Sequence, residues 1–169
     1  NIVHTSDDAD NKNVAVSGEV SNQICYTDQA FVAVADTYMS QYNTTNNYGA
    51  QTYMRVTLGT SQARGSLVRW DLSSLPVNSV VSAASLKLNV STAGSATYNL
   101  YNLRRAWVEG TGAGSATGDG ATWQTSDGNT PWGTSGAANT TSDRENTNLW
   151  GAGSTTFSTI GIKTVALNA

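Results

Sequence analysis

The residue types that could do chemistry are few and scattered. The chain has one histidine, His4, and one cysteine, Cys25, in 169 residues. A nucleophile–base triad would have to be built on His4, which sits in the polar stretch "NIVHTSDDAD" without a companion motif. A zinc site drawn from His and Cys would have one of each to work with. Cys25 lies between Ile24 and Tyr26 with no His or Lys beside it, and reads as a small core hydrophobe; an intermolecular disulfide is the sharper alternative. No P-loop is present, and no dinucleotide motif follows a strand to open a helix. A carboxylate pair could hydrolyse a glycosidic bond, but the only glutamates are Glu19, Glu109 and Glu145, and none sits in a recognisable setting. These observations predict a protein that is not an enzyme, with no catalytic residue.

Calcium asks only for oxygen ligands. Glu109, Asp119 and Asp143 lie around two long loops and are the candidate ligands of a structural calcium ion, with plain loop solvation as the alternative. The acids of "TSDDAD" (Asp7, Asp8 and Asp10) lack the glycine turn and distal glutamate of an EF-hand and read as a solvated tail. No other cofactor is expected.

Four of the five tryptophans, Trp107, Trp123, Trp132 and Trp150, fall within one 44-residue stretch. An exposed indole face can stack on a sugar ring, and a buried one can plug the end of a β-structure under long loops. Trp107 and Trp123, in apolar-alternating contexts, are expected to plug. Trp132 and Trp150, flanked by glycine, are the candidates for carbohydrate contact. Asn43, Asn89 and Asn139 each open an N-x-[ST] sequon and are the candidate glycosylation sites.

Composition narrows the setting. Net charge is −3 with no Lys/Arg cluster, which disfavours nucleic acid and anionic membrane surfaces as partners. No apolar run approaches the roughly 20 residues of a membrane-spanning helix. Ser and Thr number 42 and charged residues make up only 12%. Such a neutral, hydroxyl-rich surface suits an exported protein, extracellular or at the cell surface. The start at Asn1 reads as a processed mature chain.

The elements that must position these residues are strands. Short β-branched and aromatic runs broken by Gly, Asn, Asp and Ser recur in "KNVAVSGEV", "AFVAVADTYM", "QTYMRVTL", "GSLVRWDL", "AASLKLNVST", "TYNLYNL", "ATWQT" and "GIKTVALNA". Eight or so strands at such spacing predict an all-β, jelly-roll-like β-sandwich with long Gly/Ser/Thr-rich loops. Trp70, alternating with Val68 and Leu72, is expected in the core. Residues 110–121 hold five glycines in twelve, and residues 126–156 form a second polar run; loops this long are commonly functional.

Read in order, three segments resemble the DNRLRE-domain family over roughly residues 35–135. They are "ADTYMSQYNTTNNYGAQTYMRV" with its N-Y-G turn, "RGSLVRWDLSSLPVNSVVSAASLKLNVS" with D-L-S-S-L-P, and "YNLRRAWVEGTGAG...DGATWQTSDGNTPWG" with W-x-E-G, G-x-T-W and P-W. The resemblance implies a secreted or cell-surface jelly-roll-like module, in some members a carbohydrate-binding module attached to a polysaccharide lyase. It also implies a β-sandwich over residues 35–169 that lacks its closing C-terminal strands, preceded by a strand-bearing extension over residues 1–34.

Two functions follow. The favoured expectation is a non-catalytic structural subunit that self-assembles into a homopolymeric surface filament, residues 1–34 donating a strand to the next copy. The alternative is a carbohydrate-binding module that recognises a polysaccharide through exposed aromatics.

Overall fold

A computed structural model describes residues 29–150 and 155–168. Residues 31–169 form one compact unit. Cys25, His4, the Asp7–Asp10 cluster and nearly all of the expected donor segment lie outside the described residues.

Among the described residues the protein is all-β and contains no helix. Six strands pair as three two-stranded antiparallel sheets: β1 (Ala33–Ser40) with β2 (Arg64–Trp70), β3 (Ala84–Val90) with β6 (Gly161–Leu167), and the two-residue β4 (Thr97–Tyr98) with β5 (Thr155–Thr156). The four long strands fall on four of the alternating runs. "QTYMRVTL", "TYNLYNL" and "ATWQT" do not extend into full strands. They hold single bridges at Thr57 and Thr125 and the short β4. Their backbone N–H groups bond instead to loop carbonyls and to the side-chain oxygens of Asn148 and Thr122, Asn and Thr being usual competitors of a sheet ladder.

The β1–β2 pair carries the core. Its register sets Thr37 opposite Leu67 and Met39 opposite Gly65, with an irregularity between Ala33 and Ala35. Successive side chains on a strand point to opposite faces. One face of β1 therefore offers Ala35 and Met39, which join Leu67, Trp107, Ala121, Trp132 and Ala137 in a buried cluster, with Leu103 and Trp123 packed on its rim. Leu67, not Trp70, is the buried residue of β2. Trp70 is only half-buried because the register turns it to the face opposite Leu67. Fully burying a side chain of this size stabilises by about 1.5–3 kcal/mol, so the cluster is the main source of stability here. The other face of β1 is covered too, since Tyr38 and Ser40 are buried.

The β3–β6 pair keeps the alternation read from its sequence. Leu86 and Leu88 stand opposite Val165 and Lys163 on a half-buried face, while Lys87 and Asn89 look outward with Thr164 and Ile162. Trp150 bridges to Leu167 and meets the Phe157 ring edge-on, and Phe157 stacks on Tyr98. The "DLSSLP" turn after β2 closes locally: the Asp71 carboxylate accepts the Ser73 N–H at 2.9 Å, and the Leu72 carbonyl accepts the Leu75 N–H at 3.0 Å.

Candidate functional site

The loops between residues 41 and 57 and between 101 and 146 are fastened by polar side chains used as substitutes for secondary structure. Asn47 is the hub. It is fully buried, and its side chain makes four hydrogen bonds. Its Nδ2 donates to the carbonyls of Glu109 at 2.7 Å and Ala121 at 2.9 Å, and its Oδ1 accepts the N–H groups of Gly112 at 2.8 Å and Gly49 at 3.1 Å. Both donors and both acceptor positions of the amide are thus used. The glycines around it are glycines for lack of room. A Cβ on Gly120 would stand 2.5 Å from Asn47 Nδ2, and one on Gly49 would stand 2.3 Å from the Glu109 carbonyl oxygen. The glycine-rich loop over 110–121 is therefore tied down along its length.

The remaining motif residues act in the same way. Glu109 Oε1 accepts the backbone N–H of Asp36 at 2.9 Å, joining the loop to β1. Trp132 donates its indole N–H to the Thr122 carbonyl at 3.0 Å. Asp143, with no exposed surface, accepts the N–H groups of Gly133, Thr134 and Asn139 and the Ser142 hydroxyl at 2.8–3.2 Å, with Arg105 Nε at 3.7 Å. Burial pushes the Asp143 carboxyl up, but these donors outweigh it and hold it below the usual carboxylate range.

Trp132 and Trp150 are 5% and 3% exposed, so neither presents a ring face to a ligand. Gly133, beside Trp132, is a glycine for lack of room, because a Cβ there would run into the Ser142 hydroxyl. Trp107 is buried as a plug and Trp123 packs on the core rim. Glu109, Asp119 and Asp143 are not brought together. Glu109 binds β1, Asp119 and Asp143 bind their own loops, Asp119 by accepting from the Thr111 and Thr117 hydroxyls, and no group of three or more His, Cys, Asp or Glu residues suited to a metal ion occurs among the described residues. Of the sequon asparagines, Asn43 donates its amide to Tyr48 Oη at 3.1 Å, and Asn89 lies on the exposed face of β3. Asn139 Oδ1 accepts the N–H groups of Thr141 at 2.8 Å and Ser142 at 3.1 Å.

Two surface features flank the Asn47 hub. One is a cleft of about 180 Å³ lined by Thr45, Ala116, Gly118, Thr122, Gln124, Thr125 and Gly128. Hydroxyls, an amide and exposed glycine backbone line it, and no charged or catalytic group does. The Thr122 and Thr125 hydroxyls share a hydrogen bond at 2.9 Å, and Gln124 Nε2 donates to Thr44 Oγ1 at 3.2 Å, so the two loops that form the cleft are joined across it. The other feature is a ladder of tyrosines. Tyr38 stacks between Tyr48, with centroids 4.1 Å apart, and Tyr53, 6.1 Å apart, the planes tilted by about 20°. Burial, with Tyr53 and Tyr48 close by, pushes the Tyr38 hydroxyl up to about 12.

A family model matches residues 27–150, the span that contains the hub, the cleft, the ladder and every loop motif described above. The chain belongs to carbohydrate-binding module family 96. Searches of the curated proteins and of the solved structures returned no match. The motif resemblance to DNRLRE domains is thereby met at the level of a carbohydrate-binding module, and the match extends beyond both ends of the span read from the motifs. Membership in family 96 favours polysaccharide binding over the filament subunit. Carbohydrate-binding modules are in general non-catalytic and typically extracellular or cell-surface. Among the described residues no helix is long and apolar enough to cross a membrane. The ladder was missed in the sequence, although four of the seven tyrosines lie between positions 38 and 53; that clustering was the available signal.

Proposed function

We propose that this family 96 module binds a polysaccharide without cleaving it, on the surface built by the 41–57 and 111–130 loops. The observation that carries the reading is the hydroxyl- and amide-lined cleft inside the matched span, held open by loops that are fixed from beneath by Asn47. Sugars are recognised by such groups, because each ring hydroxyl both donates and accepts, as Thr and Gln side chains do. The cleft is smaller than the roughly 300–1,000 Å³ pockets that engulf a small molecule. It suits contact with one side of a polymer that runs across the surface. Loops already ordered lose little further entropy on binding.

The filament reading keeps no supporting observation among the described residues. The loop acids Asp119 and Asp143 accept from backbone N–H groups and hydroxyls. Affinity electrophoresis through gels containing neutral and charged soluble polysaccharides tests the proposal. Retardation by at least one polymer, with no reducing ends released, is the expected result. Unretarded migration in every gel, or release of reducing ends, would count against it.

A further inference from the structure

Tyr53 closes the tyrosine ladder on its outer side. The residue is 41% exposed, whereas Tyr38 and Tyr48 behind it are buried. The Arg55 guanidinium carbon lies over the Tyr53 ring, 5.0 Å from the centroid, with Nη2 3.5 Å from the hydroxyl oxygen. Arg55 is exposed and forms no ion pair among the described residues. The segment is held from behind: the Ser66 hydroxyl of β2 donates to the Arg55 carbonyl at 3.0 Å, and Thr57 and Arg64 exchange backbone hydrogen bonds at 3.1 and 3.0 Å. A partly exposed ring backed by two near-parallel rings, under a cation with no carboxylate partner among the described residues, is a stiff amphipathic surface. Such surfaces contribute contact area at low entropic cost.

A pyranose ring has the matching chemistry, with C–H bonds on one face and hydroxyls around the rim. We propose that Tyr53 and Arg55 form a sugar-stacking subsite that takes one pyranose residue. The C–H face of the sugar lies against the part of the Tyr53 ring that Tyr38 and the Arg55 guanidinium leave uncovered, and neighbouring hydroxyl oxygens of the sugar accept from the Arg55 N–H groups. The subsite rests on the polysaccharide-binding reading and supplies the aromatic contact that the buried tryptophans do not. The turn over residues 43–50 connects it to the cleft, since Thr44 and Thr45 serve the cleft while Asn43 and Tyr48 serve the ladder.

The test is titration calorimetry with the polymer that best retards the wild type, beside melting temperatures of every variant. Tyr53→Ala is expected to weaken binding by about tenfold or more, Tyr53→Phe to stay within about twofold, and Arg55→Ala to weaken it by about three- to tenfold. Arg55→Ala removes an exposed side chain, so it reports even if Tyr53→Ala fails to fold. Wild-type affinity in both alanine variants overturns the subsite and leaves polysaccharide binding standing. A wild type that binds no polymer overturns both.

Discussion

Asn47 and Gly112 are joined by a hydrogen bond of 2.8 Å from the Gly112 N–H to the Asn47 side-chain carbonyl, and both residues are buried. Through this bond and two others one amide fastens a turn near residue 47 to a loop more than sixty residues further along, while a fourth, from the Gly49 N–H, closes the turn itself. Leaving a buried donor or acceptor unpaired costs about 1–3 kcal/mol. Asn47→Ala is therefore expected to lose about 3 kcal/mol or more in urea unfolding. Asn47→Asp should be at least as damaging, because a carboxylate cannot donate to the Glu109 and Ala121 carbonyls. Either variant unfolding at the wild-type midpoint would show that the hub is dispensable.

Gly120 and Gly118 provide a matched pair. A Cβ at Gly120 would meet Asn47 Nδ2 and the Gly110 Cα at 2.5 Å, whereas a Cβ at Gly118 meets nothing within 4 Å. Gly118 has a φ of +71°, so alanine there carries only the backbone cost of about 1–2 kcal/mol. Thermal melts should place Gly120→Ala well below Gly118→Ala. The reverse order would mean that the loop is not packed on Asn47.

Asp143 and Asp36 should respond to acid in opposite directions. The Asp143 carboxyl is held below the usual range, so its contribution is present above the unfolded value, near 4, and is lost as pH falls through the depressed folded value. Asp36 is raised, first by burial and then by Glu109, so it favours folding below the unfolded value and loses that contribution as pH rises through the folded one. Asp143→Asn should thus lower the melting temperature at pH 7 and narrow the gap to wild type below pH 4. Asp36→Asn should raise it at pH 7. Melting curves across pH 3–7 decide both signs.

The sequence disclosed the strands whose alternation survives in the structure. Leu86, Leu88, Val165 and Leu167 line one face as their spacing required. In β2 the alternation survives but the faces are exchanged: Leu67 is buried, whereas the Val68–Trp70 face expected in the core is only half-buried. Composition alone could not assign the loop residues. Trp132 and Trp150 beside glycine looked accessible, yet both indoles are buried, by packing against residues distant in sequence that a local reading does not show. Asp119 and Asp143 looked like cation ligands, yet a carboxylate meets the same need for positive partners with N–H groups and hydroxyls. Asn47 lies within a motif that discloses no role for it, because its partners at Glu109, Gly112 and Ala121 are distant in sequence.

Occupancy of the cleft tests the central claim most directly. Ala116→Leu adds bulk to an exposed cleft position, and Gln124→Ala removes an exposed amide from its wall. Both variants should melt near the wild type. Titrated against the polymer that the wild type binds best, each is predicted to lose about tenfold in affinity, a difference of about 1.4 kcal/mol. Two folded variants that bind that polymer as tightly as the wild type would contradict the assignment of this surface.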